Sequence, residues 1–223
     1  MRIDHVVVGV RSLDEAARKM LGDFGLGSVQ GGRHVGWGTG NLIVPLGPNY
    51  VELLGVVDEQ QATQSFLGRH LLSTVAEGDR LLGWCVAVDP FDEVVDRLGL
   101  TASEASRVRP DGTTLRWRSA GLEEAMADPS FPFFISWLVP EALHPGRMTA
   151  SHRLEPRGLA WVEVQGDEPA VRRWLGPEGE HLPVRVRPGP PALVAAGIAT
   201  ASGDELVLRY AGSSGIGSQG VTE

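Results

Sequence analysis

Cysteine is almost missing from this chain, with Cys85 the single example among 223 residues. One thiol excludes an internal disulfide and any thiolate metal cluster formed by one chain, and it fits a reducing cytoplasm. Lysine is as scarce: Lys19 is the only one, and the other basic charges are arginines scattered among acids. With a formal net charge of -8 and a pI near 5.3, the clustered positive surface that a phosphate backbone needs is absent, which argues against nucleic acid as a partner. Long apolar runs are also lacking. No stretch has the length to span a bilayer, and the chain opens on a strand in place of a basic region and apolar run, so a soluble, unprocessed protein is expected.

What is present suffices for a substantial core. A hydrophobic fraction of 42% over this length accommodates one large domain or fused smaller modules. The tail from Gly212 to Gly220 is small and polar, buries too little to offset its ordering entropy, and is expected to stay flexible through residue 223.

Residues 3–10 read as a strand and 13–21 as a helix, with Ser12 as N-cap and Glu15 completing a capping box. Gly31 to Asn41 is too glycine-rich for helix, and strands 42–46 and 50–54 flank the turn Gly47-Pro48-Asn49. A polar, helix-compatible connector spans 58–80. The order then recurs over 81–140: strand 82–88, helix 91–98, strands 113–118 and 133–138. A fainter third copy occupies 158–211, with strand 158–164, helix 168–175 and strands 182–187, 192–200 and 205–210. Starts spaced by about 75 residues make these fused modules, too long for solenoid repeats. The tetrapeptides ending in Gly22, Gly99 and Gly176 each read as a helix exit.

Within the first module two side chains stand out. Strand alternation groups Val6, Val8 and Val10 on the core face and leaves His5 on the other. In the later strand Val51 and Leu53 share one face, with Glu52 opposite beside Tyr50 and Leu54. An acid in so apolar a run demands a partner. A metal ion shared with His5 satisfies that demand; so does a buried ion pair with an arginine such as Arg33, and His5 itself could be a half-buried histidine bonded to a neighbouring strand. The serine-containing stretches show no nucleophile elbow, and Gly36 to Gly40 does not lie between strand and helix as a phosphate loop must.

Repeated βαβββ units with His on the first strand and Glu on the last resemble the vicinal oxygen chelate superfamily, the glyoxalase and bleomycin-resistance fold. The segments Asp4-His5-Val6-Val7, Gly31-Gly32-Arg33-His34, Gly38-Thr39-Gly40-Asn41, Tyr50-Val51-Glu52-Leu53 and Pro132-Phe133-Phe134-Ile135-Ser136-Trp137 are similar in their order to its glyoxalase-like domain subfamily, over residues 1–165. The resemblance implies an α+β fold of cup-shaped mixed and antiparallel sheets, holding a divalent metal through ligands on strands 1 and 4 of each module.

On that pattern His5 and Glu52 are metal ligands, with Glu52 also catalytic, and they converge on one cavity at roughly 3–5 Å. Superposing the second module on the first places Trp84 near the His5 position and Ser136 at the Glu52 position, so half of the ligand set is missing. His152 is the first candidate to complete it, and His34, at the pocket mouth, the second. His34, Asn41, Tyr50, Trp84, Phe134 and Ser136 are the candidate small-molecule contacts, with Trp84 and Phe134 on the cavity wall. His70, His144 and His181 read as solvated. Nitrogen and carboxylate ligands suit zinc, nickel, manganese or ferrous iron. Two functions follow from the resemblance: a metal-dependent lyase, isomerase or dioxygenase-type enzyme acting on a small carbonyl or vicinal-oxygen metabolite, or a non-catalytic binding or resistance protein that has lost part of the site. A homodimer is expected because modules of this fold pair and the third has an edge strand to cover.

Overall fold

A computed structural model describes residues 1–109, 111–210 and 216–218. Strand β1 (Arg2–Val10) leads into helix α1 (Leu13–Phe24), then β2 (Val29–His34), β3 (Thr39–Pro45) and β4 (Tyr50–Val56). Ser12 Oγ accepts the Glu15 amide at 3.3 Å, satisfying one of the donors that every helix start leaves free. Ala16, Met20 and Phe24 form the buried face. Because Phe24 continues that face, α1 runs past Gly22 and stops at Gly25, whose φ of 68° suits a left-handed cap. Gly22 is therefore inside the helix and does not mark its exit, whereas Gly99 does cap its helix at φ 64°.

The connector forms α2 (Glu59–Ala62) and α3 (Phe66–Thr74). The second unit follows as β5 (Arg80–Ala87), α4 (Phe91–Leu98), β6 (Ser103–Val108), β7 (Thr114–Ala120), α5 (Leu122–Ala127) and β8 (Phe133–Trp137). Strand β6 and helix α5 are additions to the sequence reading. β6 is mostly exposed and carries no apolar alternation to announce it.

These strands make one eight-stranded sheet in the order β2-β3-β4-β1-β5-β8-β7-β6. β1 is parallel to β4 with His5 opposite Tyr50, and β5 is parallel to β8 with Cys85 opposite Phe133. The two halves meet where β1 and β5 pair antiparallel, His5 opposite Cys85. The halves are thus related by a local two-fold at the centre of the sheet. The sheet curls until its outer strands β2 and β6 touch, and α3 covers the open face through Leu71 and Val75, which pack with Val7 and Leu54.

The remainder is β9 (Pro156–Gln165), α6 (Glu168–Leu175), β10 (Val184–Arg187), β11 (Ala192–Thr200), β12 (Glu205–Tyr210) and β13 (Ile216–Ser218). Its five strands are ordered β10-β9-β11-β12-β13. The order strand, helix, strands repeats a third time, but the pairing differs: β10 lies directly beside β9, where β2 is remote from β1. The tail expected to remain outside the fold adds β13 to the β12 edge; residues 211–215 and 219–223 lie outside the described residues. The second sheet packs through β11 and β12 onto β5, and Trp84, Val86, Phe134, Val162, Ile198 and Leu208 share one core between them. No helix among the described residues is long and apolar enough to cross a membrane.

Candidate active site

The concave side of the curled sheet encloses a cavity of about 120 Å³. His5, Asn41, Tyr50 and Glu52 enter from β1, β3 and β4, Arg107 from β6, and Phe133, Ile135 and Trp137 from β8. How β1 presents its polar groups is unusual. Its register against β5 skips Asp4, so a bulge places an extra residue in the strand and breaks the alternation that would send adjacent side chains to opposite faces. As a result the carboxylate of Asp4 stays beside His5, at 2.7 Å from Nδ1.

Asp4 is wholly buried and accepts from three directions. Besides His5, its Oδ2 receives His144 Nε2 at 2.9 Å and Trp137 Nε1 at 3.0 Å. His144 Nδ1 accepts the Gly146 amide, so the ring's proton sits on Nε2 and donates to Asp4. Burial opposes ionisation of Asp4, yet the hydrogen bonds from His144 and His5 hold its carboxyl well below the usual carboxylate range. His144 is therefore a buried structural partner; the solvated loop position expected for it is corrected by this contact. The strand places Tyr50 against the His5 ring at 4.5 Å between centroids, and Phe133 approaches edge-on at 5.4 Å.

With Nδ1 committed to Asp4, the other imidazole nitrogen faces the cavity. Nε2 is 3.7 Å from Glu52 Oε2, inside the expected 3–5 Å interval and beyond hydrogen-bond reach. The second Glu52 oxygen accepts Asn41 Nδ2 at 2.5 Å, and Asn41 Oδ1 accepts Arg107 NH1 at 2.8 Å. Arg33 is exposed and plays no part; the guanidinium linked to Glu52 is Arg107, through an amide. Gly31 makes this possible, since a Cβ there would lie 2.1 Å from Asn41 Oδ1 and 2.8 Å from Arg107 NH1.

Other candidate positions divide. His34 lines the cavity and its Nδ1 is 2.9 Å from Thr39 Oγ1; burial lowers its pKa, opposed by Glu52 and aided by Arg107. His70 also reaches the lining from α3 and is not simply solvated. Burial, then Asp4 and Glu52, pushes the Tyr50 phenol well up, so it stays neutral. Trp84 and Phe134 do not line the cavity. Trp84 pairs with Val6 and Phe134 with Val86, which puts both on the opposite face, in the core against the second sheet. Ser136 shares the Phe134 face of β8, and its neighbours Ile135 and Trp137 point inward instead. By the local two-fold, Cys85 is the counterpart of His5 and Ile135 that of Glu52. His152 lies away from the cavity: its Nδ1 accepts the Gly27 amide at 3.1 Å and it also bonds the Pro45 backbone, which corrects its role as third ligand.

Ligand-type atoms of Asp4, His5 and Cys85 lie within 4.8 Å of one another. Both Asp4 oxygens are occupied, however, and burial, then Asp4 and Glu52, raises the Cys85 thiol well up, so Asp4 serves as a hydrogen-bonded support for His5. The pair His5 and Glu52 meets the chemistry of a cation site better. An imidazole nitrogen and a carboxylate oxygen face each other at 3.7 Å, and two bonds of ~2.0–2.2 Å span their separation. Among the described residues no third His, Cys, Asp or Glu joins that pair.

A family model described as the glyoxalase-like domain matches residues 3–178. The chain belongs to the glyoxalase-like domain family. This places it in the vicinal oxygen chelate superfamily, and its curled α+β sheet agrees. Among solved structures, a hypothetical protein from Staphylococcus aureus aligns over 97% of this chain and 98% of its own at 16% identity, with a TM-score of 0.71. The fold is thus shared with that protein over nearly the whole of both chains, the second sheet included. Methylmalonyl-CoA epimerase from Mycobacterium tuberculosis covers 63% of this chain and 89% of its own at 18% identity, TM-score 0.45. A Streptomyces coelicolor methylmalonyl-CoA epimerase variant solved with 2-nitronate-propionyl-CoA covers 61% and 93% at 16% identity, TM-score 0.44. No curated protein matches the sequence.

Asp4, Arg107 and His144 are the site residues that sequence reasoning missed. Asp4 carried a signal, an acid in an apolar strand one residue before His5. Arg107 and His144 carried none, because both reach the site through pairings across the fold.

Proposed function

We propose that the protein is a small-molecule enzyme of the glyoxalase type, acting on a metabolite with a carbonyl and a neighbouring oxygen, with His5 and Glu52 holding a divalent cation between them. The observation that supports it is the facing of His5 Nε2 and Glu52 Oε2 at 3.7 Å, with the opposite side of each group already bonded to Asp4 and Asn41. A divalent ion bound there would polarise the carbonyl oxygen and stabilise charge developing next to it. Asp4 fixes the His5 tautomer and orientation, as partners behind metal-binding histidines do. Asn41 holds one Glu52 oxygen, leaving Oε2 aimed into the cavity; released from the cation, that oxygen would take a proton from the carbon beside the carbonyl and return it. Trp117, Phe133 and Trp137 exclude water from that exchange. Two protein ligands leave coordination positions for a chelating ligand.

Metal analysis of untagged protein purified without chelator tests this. Close to one equivalent of a transition metal is expected in the wild type, falling to a small fraction in His5→Ala and Glu52→Gln. Absence of metal from the wild type, with no uptake and no gain in turnover on adding one, would sink it. A second reading, a non-catalytic binder, is favoured by one observation: Cys85 and Ile135 stand at the two-fold counterparts of His5 and Glu52. Saturable ligand binding with no turnover under any metal would decide for that reading.

A further inference from the structure

Arg107 is out of place by charge. It is 6% exposed and lines the cavity, yet its only described hydrogen bond runs from NH1 to the Asn41 amide oxygen, and its Nε has no partner. No carboxylate of the described residues forms an ion pair with it. A guanidinium held out of water without a counter-charge is unfavourable, and among the described residues only the Asn41 amide, backed by Glu52, relieves this. The neighbouring Arg109, also buried, donates to the Leu143 carbonyl and adds positive potential to the same end of β6. His34, His5 and, beyond Asn41, Glu52 share the cavity lining with Arg107.

We propose that Arg107 anchors a carboxylate of the ligand, so that the substrate class is a small 2-oxo or 2-hydroxy acid. This rests on the cavity being a ligand site and does not require the cation. Three observations carry it. The planar guanidinium matches a carboxylate, and with NH1 on Asn41 and Nε buried, NH2 and the second NH1 hydrogen are left for a ligand. Asn41 links Arg107 to Glu52, so a carboxylate held by Arg107 lies in the same small cavity as Glu52 and His5, within reach of a short acid. Finally, the cavity lining contains no other arginine and no lysine, and Glu52 is one amide away, so the site suits a single negative charge and opposes a phosphate dianion. The apolar remainder, including Leu54, Phe133 and Trp137, would take the substituent.

Tryptophan quenching and thermal shift with matched probes test the assignment, since Trp37, Trp117 and Trp137 line the cavity. Pyruvate, 2-oxobutanoate, 2-hydroxybutanoate and phenylpyruvate are compared with their neutral amides and with inorganic phosphate, on wild type and on Arg107→Gln. Saturable binding of at least one acid is expected, weakened about ten- to hundredfold in its amide. In the variant the acid should weaken by a similar factor and the amide stay unchanged. The comparison of acid with amide needs no variant and stands even if Arg107→Gln fails to fold. Equal binding of acid and amide, acid selectivity that survives in a folded Arg107→Gln, tighter phosphate binding, or no saturable acid in the series would each overturn the assignment. Repeating the titrations in chelator separates the two ideas. Acid selectivity in metal-free protein with no metal uptake removes the cation and keeps the anchor, whereas metal-dependent binding indifferent to the acid does the reverse.

Discussion

Replacing Asp4 by alanine should destabilise the fold far more than a typical substitution, because three N–H groups lose their acceptor together. His5 Nδ1, His144 Nε2 and Trp137 Nε1 lie 2.7, 2.9 and 3.0 Å from the carboxylate, and Asp4 itself is fully buried. An unsatisfied buried donor costs about 1–3 kcal/mol, and the three are coupled through one acceptor, so the sum is not additive. Breaking a buried polar pair of this kind costs roughly 3–5 kcal/mol, which is the expected loss. Asp4→Asn keeps one acceptor oxygen but turns an amide N–H₂ towards a donor, so roughly 2–3 kcal/mol is expected. Urea denaturation of both variants, with the slope m unchanged, reads these values directly. The pH dependence has a definite sign. Since the Asp4 carboxyl is held below its unfolded value, its contribution is complete above about pH 4 and is lost progressively on acidification below that, so the gap between wild type and Asp4→Asn should narrow there. A loss under about 1 kcal/mol in Asp4→Ala at neutral pH would refute the reasoning, because a single ordinary hydrogen bond would account for it.

Trp84→Ala should cost about 3–5 kcal/mol in denaturant midpoint analysis while the response of the protein to cavity ligands stays unchanged, since Trp84 lies on the core face. Gly31→Ala drives a methyl into the Asn41 and Arg107 contact and should lose about 1–3 kcal/mol by overpacking, with ligand affinity falling alongside stability in the same melting series. His152→Ala should lower stability by about 1 kcal/mol through the freed Gly27 amide and leave metal content as in wild type, measured by elemental analysis. Ser136→Ala should change stability by less than about 0.5 kcal/mol and leave ligand titrations superimposable on wild type.

What could be read from the sequence follows from how polar and apolar residues alternate. In β4 the run Tyr50-Val51-Glu52-Leu53 contains one acid, and that acid fixed the face; in β1 the histidine among valines did the same. The pair converged as expected. In β8 the run Phe133-Phe134-Ile135-Ser136-Trp137 is apolar on both faces, because one side meets the cavity and the other meets a core. There a slip of one residue turns every side chain over, and Phe134 and Ser136 were assigned inward in place of Phe133 and Ile135. Trp84 fell to the same ambiguity in β5. The second sheet, which makes the back of β5 a core, could not be inferred from β5 itself. Asp4 was hidden by the assumption of regular alternation, which the bulge violates.

The local two-fold relates the two halves of the cup in backbone but not in chemistry: one wall carries His5, Asn41 and Glu52, and the facing strand carries Phe133, Ile135 and Trp137. A planar ligand lying between them would meet His5 and Glu52 on one face and the apolar side chains of β8 on the other, with Arg107 at its edge. If the cavity is catalytic as proposed, a proton passed to a trigonal carbon would arrive from the Glu52 side alone, and the product would have one handedness. On the function proposed above, Cys85 and Ile135 at the two-fold counterparts of His5 and Glu52 would confine proton exchange to one wall of the cup.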